Sequence, residues 1–212
     1  YNGKDYSSDI ELYDYENNRE ITIELDNTLT LKENANKFYK LYNKGKTSRQ
    51  KLTNLEEGFY QIKNYLEQTL YFLSNAKTYE DLIEIKSELI IDEKDLKQEK
   101  LKSQEPEKII QGVFTIYIGK NNRQNDYIIS KLSKDEDLWF HTKNCAGSHV
   151  LLKGKNPTQD LILECAKYAK QYSSASTSSK VGIIYTKRKN LKKPPKANLG
   201  YVTYKNEKEI IL

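Results

Sequence analysis

Asp137-Leu138-Trp139-Phe140-His141, followed by Cys145 and Gly147-Ser148-His149-Val150, holds the side chains best suited to chemistry. At a strand's period of two, Asp137, Trp139 and His141 share one face, while Leu138 and Phe140 supply the other. That first face carries the single Trp of the chain and one of its 2 histidines, with a carboxylate beside them. His141, Cys145 and His149 would align as metal ligands on a helix. Gly147 and the strand-like flanks argue against a helix, and three ligands without a Cys-x-x-Cys pair fall short of a structural zinc site. A Cys145 nucleophile would need a base that is itself oriented, and no Asn or Asp is specified for that role. The polar segment Gly119–Asp126 follows a strand but lacks the glycines of a nucleotide-binding loop. No carboxylates are paired for acid–base work. The expectation is therefore a protein that is not an enzyme, with no catalytic residue, metal or cofactor.

A binding role fits better. Residues 1–103 carry 16 Lys/Arg against 20 Asp/Glu, and residues 104–212 carry 19 against 10, so the net +5 is concentrated in the second half. Lys187-Arg188-Lys189-Asn190-Leu191-Lys192-Lys193-Pro194-Pro195-Lys196 has six positive charges and no acid. Arg123, Lys143, Lys153, Lys155, Lys167 and Lys170 belong to the same half. Such a surface neutralises phosphates, and an exposed Trp139 would stack on a base or ribose while Asn and His groups reach sugar and base edges. The expected RNA-binding set is Asp137, Trp139, His141, Arg123, Asn122, Lys143, His149, Lys187, Arg188, Lys189, Lys192 and Lys193. The bland alternative is a half-buried strand whose Trp packs beneath a loop, beside a solvated basic loop.

Three segments position these residues. Residues 1–32 read as the tail of an upstream domain, with Ile21, Ile23 and Leu25 alternating as a strand before a turn at Asp26-Asn27. Thr30-Leu31-Lys32-Glu33 has the spacing of a capping box. Residues 33–103 form a helical middle region. Its first part carries a heptad seam at 38, 41, 45, 48, 52, 55, 59, 62, 66, 69 and 73, weak at Gly45, Ser48 and Thr69. Unbroken, residues 33–75 make a rod of roughly 65 Å, expected to stand apart from the basic domain as a coiled-coil arm. A hinge or hairpin at Gly45–Ser48 is the other possibility. Tyr79 to about Leu101 is a second amphipathic helix, and Ser103–Pro106 a linker. Residues 104–212 alternate strands (114–118, 181–185, 201–204) with a helix from Asn156-Pro157-Thr158 to about Tyr172, giving a compact mixed α+β domain.

No apolar run reaches the ~20 residues that span a bilayer, so no membrane association is expected. The 2 cysteines suit a reducing compartment, read as cytoplasmic. The absence of Met implies a fragment or processed product of a longer chain.

"IGKNNRQND", "DLWFHTKNCAGSHVLLKG" and "YTKRKNLKKPPKANLGYV" resemble the NFACT-R domain of the RqcH/NEMF/Tae2 family of NFACT proteins, also called fibronectin-binding protein A. "ITIELDNTLTLKENANKFYKLYNKGK" resembles the start of that family's coiled-coil middle region. The similarity covers nearly the whole chain and departs at Cys145-Ala146, where the family often has a Pro. The family's N-terminal domain and helix–hairpin–helix segment are not expected among these residues. The resemblance implies the fold class already read from the sequence: α+β, with a long helical coiled-coil arm before a compact NFACT-R domain. It also implies ribosome-associated quality control: binding the large ribosomal subunit with its peptidyl-tRNA, recruiting tRNA and supporting C-terminal alanine tailing of stalled chains. Carried over by motif, Trp139 would stack, His141 would donate to phosphate or ribose, and Asp137 would orient His141 or its neighbours. Fibronectin is a partner by the family's older name alone. A surface adhesin and a protein-docking scaffold are the alternatives.

Overall fold

The computed structural model describes residues 6–89 and 105–212. The chain divides into two compact units, Tyr1–Gly58 and Phe59–Leu212.

In the first unit, β1 (Asp9–Asp14) and β2 (Arg19–Glu24) form an antiparallel hairpin, with Ile10 opposite Ile23 and Leu12 opposite Ile21. Asp26-Asn27 turns the chain, and Asn34 locks the turn by accepting from Asp26 N at 2.8 Å and donating to Asp26 O at 2.9 Å. The capping box forms: Thr30 N donates to Glu33 Oε2 at 2.8 Å, and Glu33 N donates to Thr30 Oγ1 at 3.3 Å. From it runs α1 (Leu31–Asn75), unbroken through Gly45 and Ser48, so neither hinge nor hairpin exists there. One glycine costs a helix about 1 kcal/mol, too little to break a long one.

The second unit begins within α1. Its core is an antiparallel six-stranded sheet of order β10-β7-β5-β6-β4-β3. The strands are β3 (Glu107–Gln111), β4 (Phe114–Ile118), β5 (Leu138–Thr142), β6 (Val150–Lys153), β7 (Gly182–Lys187) and β10 (Lys208–Ile211). The central strands are apolar on both sides, as strands covered on two faces must be. One face puts Ile116, Phe140, Val150, Leu152 and Ile183 against Leu161, Cys165, Ala166 and Ala169 of α4 (Gln159–Gln171). Thr158 caps α4 by accepting from Leu161 N at 3.3 Å. The buried stripe of α4 is Leu161, Cys165, Ala166 and Ala169, while Leu163 is exposed.

The other face buries Trp139, Leu151 and Ile184 with Ile128, Ile129 and Leu191. Its cover is α3 (Asn122–Tyr127), the π turn Ile128–Leu132, and the basic run. That run ends β7, makes a 3-10 turn at Arg188–Asn190, and continues as β8 (Leu191–Lys192) paired with β9 (Thr203–Tyr204). The polar segment after β4 forms a short helix capped by Asn121, whose side chain accepts from Gln124 N at 2.8 Å.

The helix α2 (Tyr79–Leu89) packs on α3. Its expected continuation to Leu101, and part of the expected linker, lie outside the described residues. An arm wholly apart from the basic domain is not what forms. Phe72 and Thr69 of α1 are buried within the second unit, while the seam residues Phe38, Leu41, Leu52, Leu55, Phe59, Ile62, Leu66 and Leu73 are exposed. The face that packs runs through Tyr65, Gln68, Thr69 and Phe72. It meets the heptad only at Thr69.

Candidate functional site

The period-two reading of β5 assigns the faces correctly and misjudges what covers one of them. Phe140 enters the α4 core, and Trp139 enters the opposite core with only 1% of its surface exposed. Trp139 is therefore not an open stacking platform. Burial of a large aromatic outweighs the polar neighbours on its face, because each of them finds a partner of its own.

His141 stacks on the indole, with rings 5.7 Å apart and 4° from parallel, and His149 meets both rings edge-on at 5.1 and 5.3 Å. Burial lowers the pKa of His141, and burial with the neighbouring His141 lowers that of His149 well below the ordinary range. Both rings are neutral at physiological pH. His141 Nε2 lies 3.3 Å from Gly147 O, so the N–H is assigned to Nε2 and points at that carbonyl, which corrects its expected role as a phosphate donor. Asp137 does not orient His141. Its carboxylate accepts from Lys134 N at 2.8 Å and lies 3.8 Å from Lys153 Nζ, and its carbonyl accepts from Arg188 N at 2.8 Å. It fixes the turn into β5.

Gly147 is the hub of the site. Its N–H donates to Gln68 Oε1 at 2.9 Å, and its carbonyl accepts from Gln68 Nε2 and, at 3.4 Å, from Asn125 Nδ2. A side chain at Gly147 would meet Ser173 Cβ at 2.8 Å, so the close approach requires glycine. Asn125 Oδ1 accepts from His149 N at 2.9 Å and fixes the strand that presents His149.

The Asn-Asn-x-Gln-Asn motif is structural at every amide. Asn121 Nδ2 donates to Glu84 Oε2 at 2.5 Å and Gln124 Nε2 to the same oxygen at 3.1 Å. Asn122, expected to contact RNA, is 2% exposed and donates to Thr69 Oγ1 at 3.0 Å and Glu88 Oε1 at 2.8 Å. Burial raises the pKa of Glu88. These bonds dock α1 and α2 on α3, since buried amides and carboxylates must be paired.

The basic candidates separate into paired and unpaired. Lys187 and Lys189 both bind Glu136, at 2.6 and 2.7 Å, and hold its pKa down to about 2. Lys143 pairs with Glu209 at 2.8 Å, Lys193 pairs with Asp126, and Arg123 stands near Glu88. Arg188 turns inward, its Nε donating to Ile129 O and Ser133 Oγ at 3.0 Å, so it staples the loop and is not free for phosphate. Lys192, Lys196 and Lys205 are exposed and make no ion pair among the described residues. The positive surface is smaller than the sequence implies.

Several site residues carry no signal in the sequence. Beside Trp139, His141, Cys145 and His149 lies a cavity of about 400 Å³, lined also by Tyr60, Asn64 and Gln68 of α1 and by residues 198–204. Only Thr69, a weak point in the heptad seam, hinted that α1 had a polar docking face. Among the described residues no three His, Cys, Asp or Glu side chains are grouped to hold a metal ion. Cys165 is buried, and burial pushes its thiol up to about 12.

Comparison with known proteins gives the family to which this fold belongs. Residues 107–206 match the family model for the NFACT protein RNA binding domain, and residues 1–108 match that for the NFACT N-terminal and middle domains. The chain belongs to the NFACT family. It is 35% identical over 218 residues to "Rqc2 homolog RqcH" of Bacillus subtilis (strain 168), covering 96% of this chain and 37% of that protein. To the protein of the same name in Streptococcus suis (strain 05ZYH33) it is 36% identical over 209 residues, covering 96% and 38%. The solved C-terminal structure of the fibronectin/fibrinogen-binding protein from Streptococcus suis is similar with a TM-score of 0.77 at 34% identity, covering 86% of this chain and 76% of that one. The chain thus spans less than two fifths of the curated relatives' length.

Proposed function

We propose that this chain is the RNA-binding part of a ribosome-associated quality control factor. On this reading it binds the large ribosomal subunit carrying peptidyl-tRNA and supports tRNA recruitment for C-terminal alanine tailing of stalled chains. The observation that carries the reading is the match of residues 107–206 to the NFACT RNA-binding domain, together with the exposed, unpaired Lys192, Lys196 and Lys205. The name of the Bacillus subtilis relative, an Rqc2 homolog, supports the ribosomal setting.

The chain acts as a binding factor and not as an enzyme; peptide-bond chemistry belongs to the ribosome. It needs no cofactor and works in the cytoplasm. No described helix is long and apolar enough to cross a membrane. Co-sedimentation of the chain with purified large subunits, with and without ribonuclease, tests the reading. Binding that ribonuclease abolishes is expected. Binding indifferent to ribonuclease would instead favour a protein-docking module. Binding to fibronectin and not to the subunit would favour the adhesin reading.

A further inference from the structure

The cavity beside Trp139 has a chemistry different from that of the basic surface. Its volume of about 400 Å³ suits a small flat ligand, since ligand pockets run from roughly 300 to 1,000 Å³. Aromatic rings dominate its wall: Tyr60 and Tyr65 from α1, Tyr201 and Tyr204 from the segment around β9, and the Trp139–histidine cluster. Trp139 is almost fully buried, whereas Tyr204 is 37% and Tyr60 58% exposed, so the rings run from core to solvent. Tyr204 lies 6.0 Å from the Trp139 ring.

No lysine or arginine lines the cavity, its one carboxylate is Glu67, and both of its histidines are held neutral. A phosphate or other anion meets no cationic side chain there. What the wall offers instead is hydrogen bonding without charge. The side-chain amides of Asn64, Asn144 and Asn198 line it and make no hydrogen bond among the described residues. Trp139 Nε1 and His149 Nδ1 lie buried beside it without an oxygen or nitrogen partner. A flat ring edged with donors and acceptors satisfies stacking and amides together, as a purely apolar ring does not. Lys196 and Lys205, both exposed and without an ion pair among the described residues, flank the lining segment 198–204 in sequence.

We propose that this cavity takes a single unpaired nucleobase from a bound RNA strand, its phosphates remaining outside on Lys196 and Lys205. The proposal rests on the RNA-binding reading and adds that binding includes one extruded base. A duplex would hold that base in its stack and would bind less tightly.

Trp139, the one Trp of the chain, reports on the cavity directly. The experiment follows its emission in the 212-residue chain on titration with adenosine, and measures affinity for a short single-stranded RNA, the same strand with one abasic position, and its duplex. Expected are a saturable change with adenosine, preference for the single strand, and a loss of ~10-fold at one abasic position, within the range for one base–aromatic stack. Tyr204→Ala and, independently, Tyr60→Ala should weaken both adenosine and single-stranded RNA without lowering the melting temperature. Lys196→Glu with Lys205→Glu should weaken RNA and spare adenosine. If RNA binds but adenosine leaves Trp139 unchanged and the abasic series is flat, the base pocket is wrong and the RNA-binding reading survives. If adenosine binds and RNA does not, the cavity holds a free nucleoside and the proposal fails. If neither binds, both readings fall.

Discussion

Gln68 and Gly147 are joined at two points: the side-chain amide accepts from the glycine N–H at 2.9 Å and donates to its carbonyl. One residue belongs to the long helix, the other to the loop between β5 and β6, and the pairing makes the end of α1 a wall of the Trp139 site. Gln68→Ala would leave the Gly147 N–H without this partner, at a cost of about 1–3 kcal/mol. Equilibrium denaturation by urea should show that loss, and amide hydrogen exchange should localise it to Gly147. Unchanged protection at Gly147 would mean that the helix is not held there.

Trp139 and Phe140 point to opposite cores, and both are essentially buried. Trp139→Ala and Phe140→Ala should each cost about 3–5 kcal/mol through the cavity left behind. Comparable losses of melting temperature in both variants are expected. A Trp139→Ala protein as stable as the parent would mean that its side of the sheet is uncovered.

Stability should fall as the solution is acidified below the ordinary histidine value of 6.5. Burial depresses the folded-state pKa of His149 and His141, so these groups contribute stability that is fully present above 6.5. It is lost as pH falls toward their folded values, because the unfolded chain then binds more protons. Each proton so linked gives a slope of at most about 1.4 kcal/mol per pH unit. Unfolding free energies from neutral pH to about 5.5 should decline in the parent and decline less in His149→Gln. Equal slopes would place the titration elsewhere.

Much of the fold was legible because its signals are local. The Thr30–Glu33 capping box, the Thr158 cap and the alternation in β5 depend on neighbours within a few residues. The cover over Trp139 was not legible, since it is assembled from Ile128, Leu191 and Val202, each remote from β5 in sequence. Charge was misread for the same reason. Glu136 neutralises Lys187 and Lys189 from 51 and 53 residues away, a pairing that no linear count reveals. Asn122 looked like a ligand-binding amide because its partners, Thr69 and Glu88, lie on other helices.

The central claim is that RNA is held by Lys192, Lys196 and Lys205, three of the lysines the fold leaves unpaired, and its salt dependence tests this most directly. Affinity of the chain for single-stranded RNA should be measured across a several-fold range of KCl. Three contacts from Lys192, Lys196 and Lys205 predict a log–log slope of about −2. Lys192→Ala should shrink it by about 0.7, Lys187→Ala by less, and Glu136→Gln, which frees Lys187 and Lys189, should steepen it. A slope near zero, or one unchanged across these variants, would contradict the account.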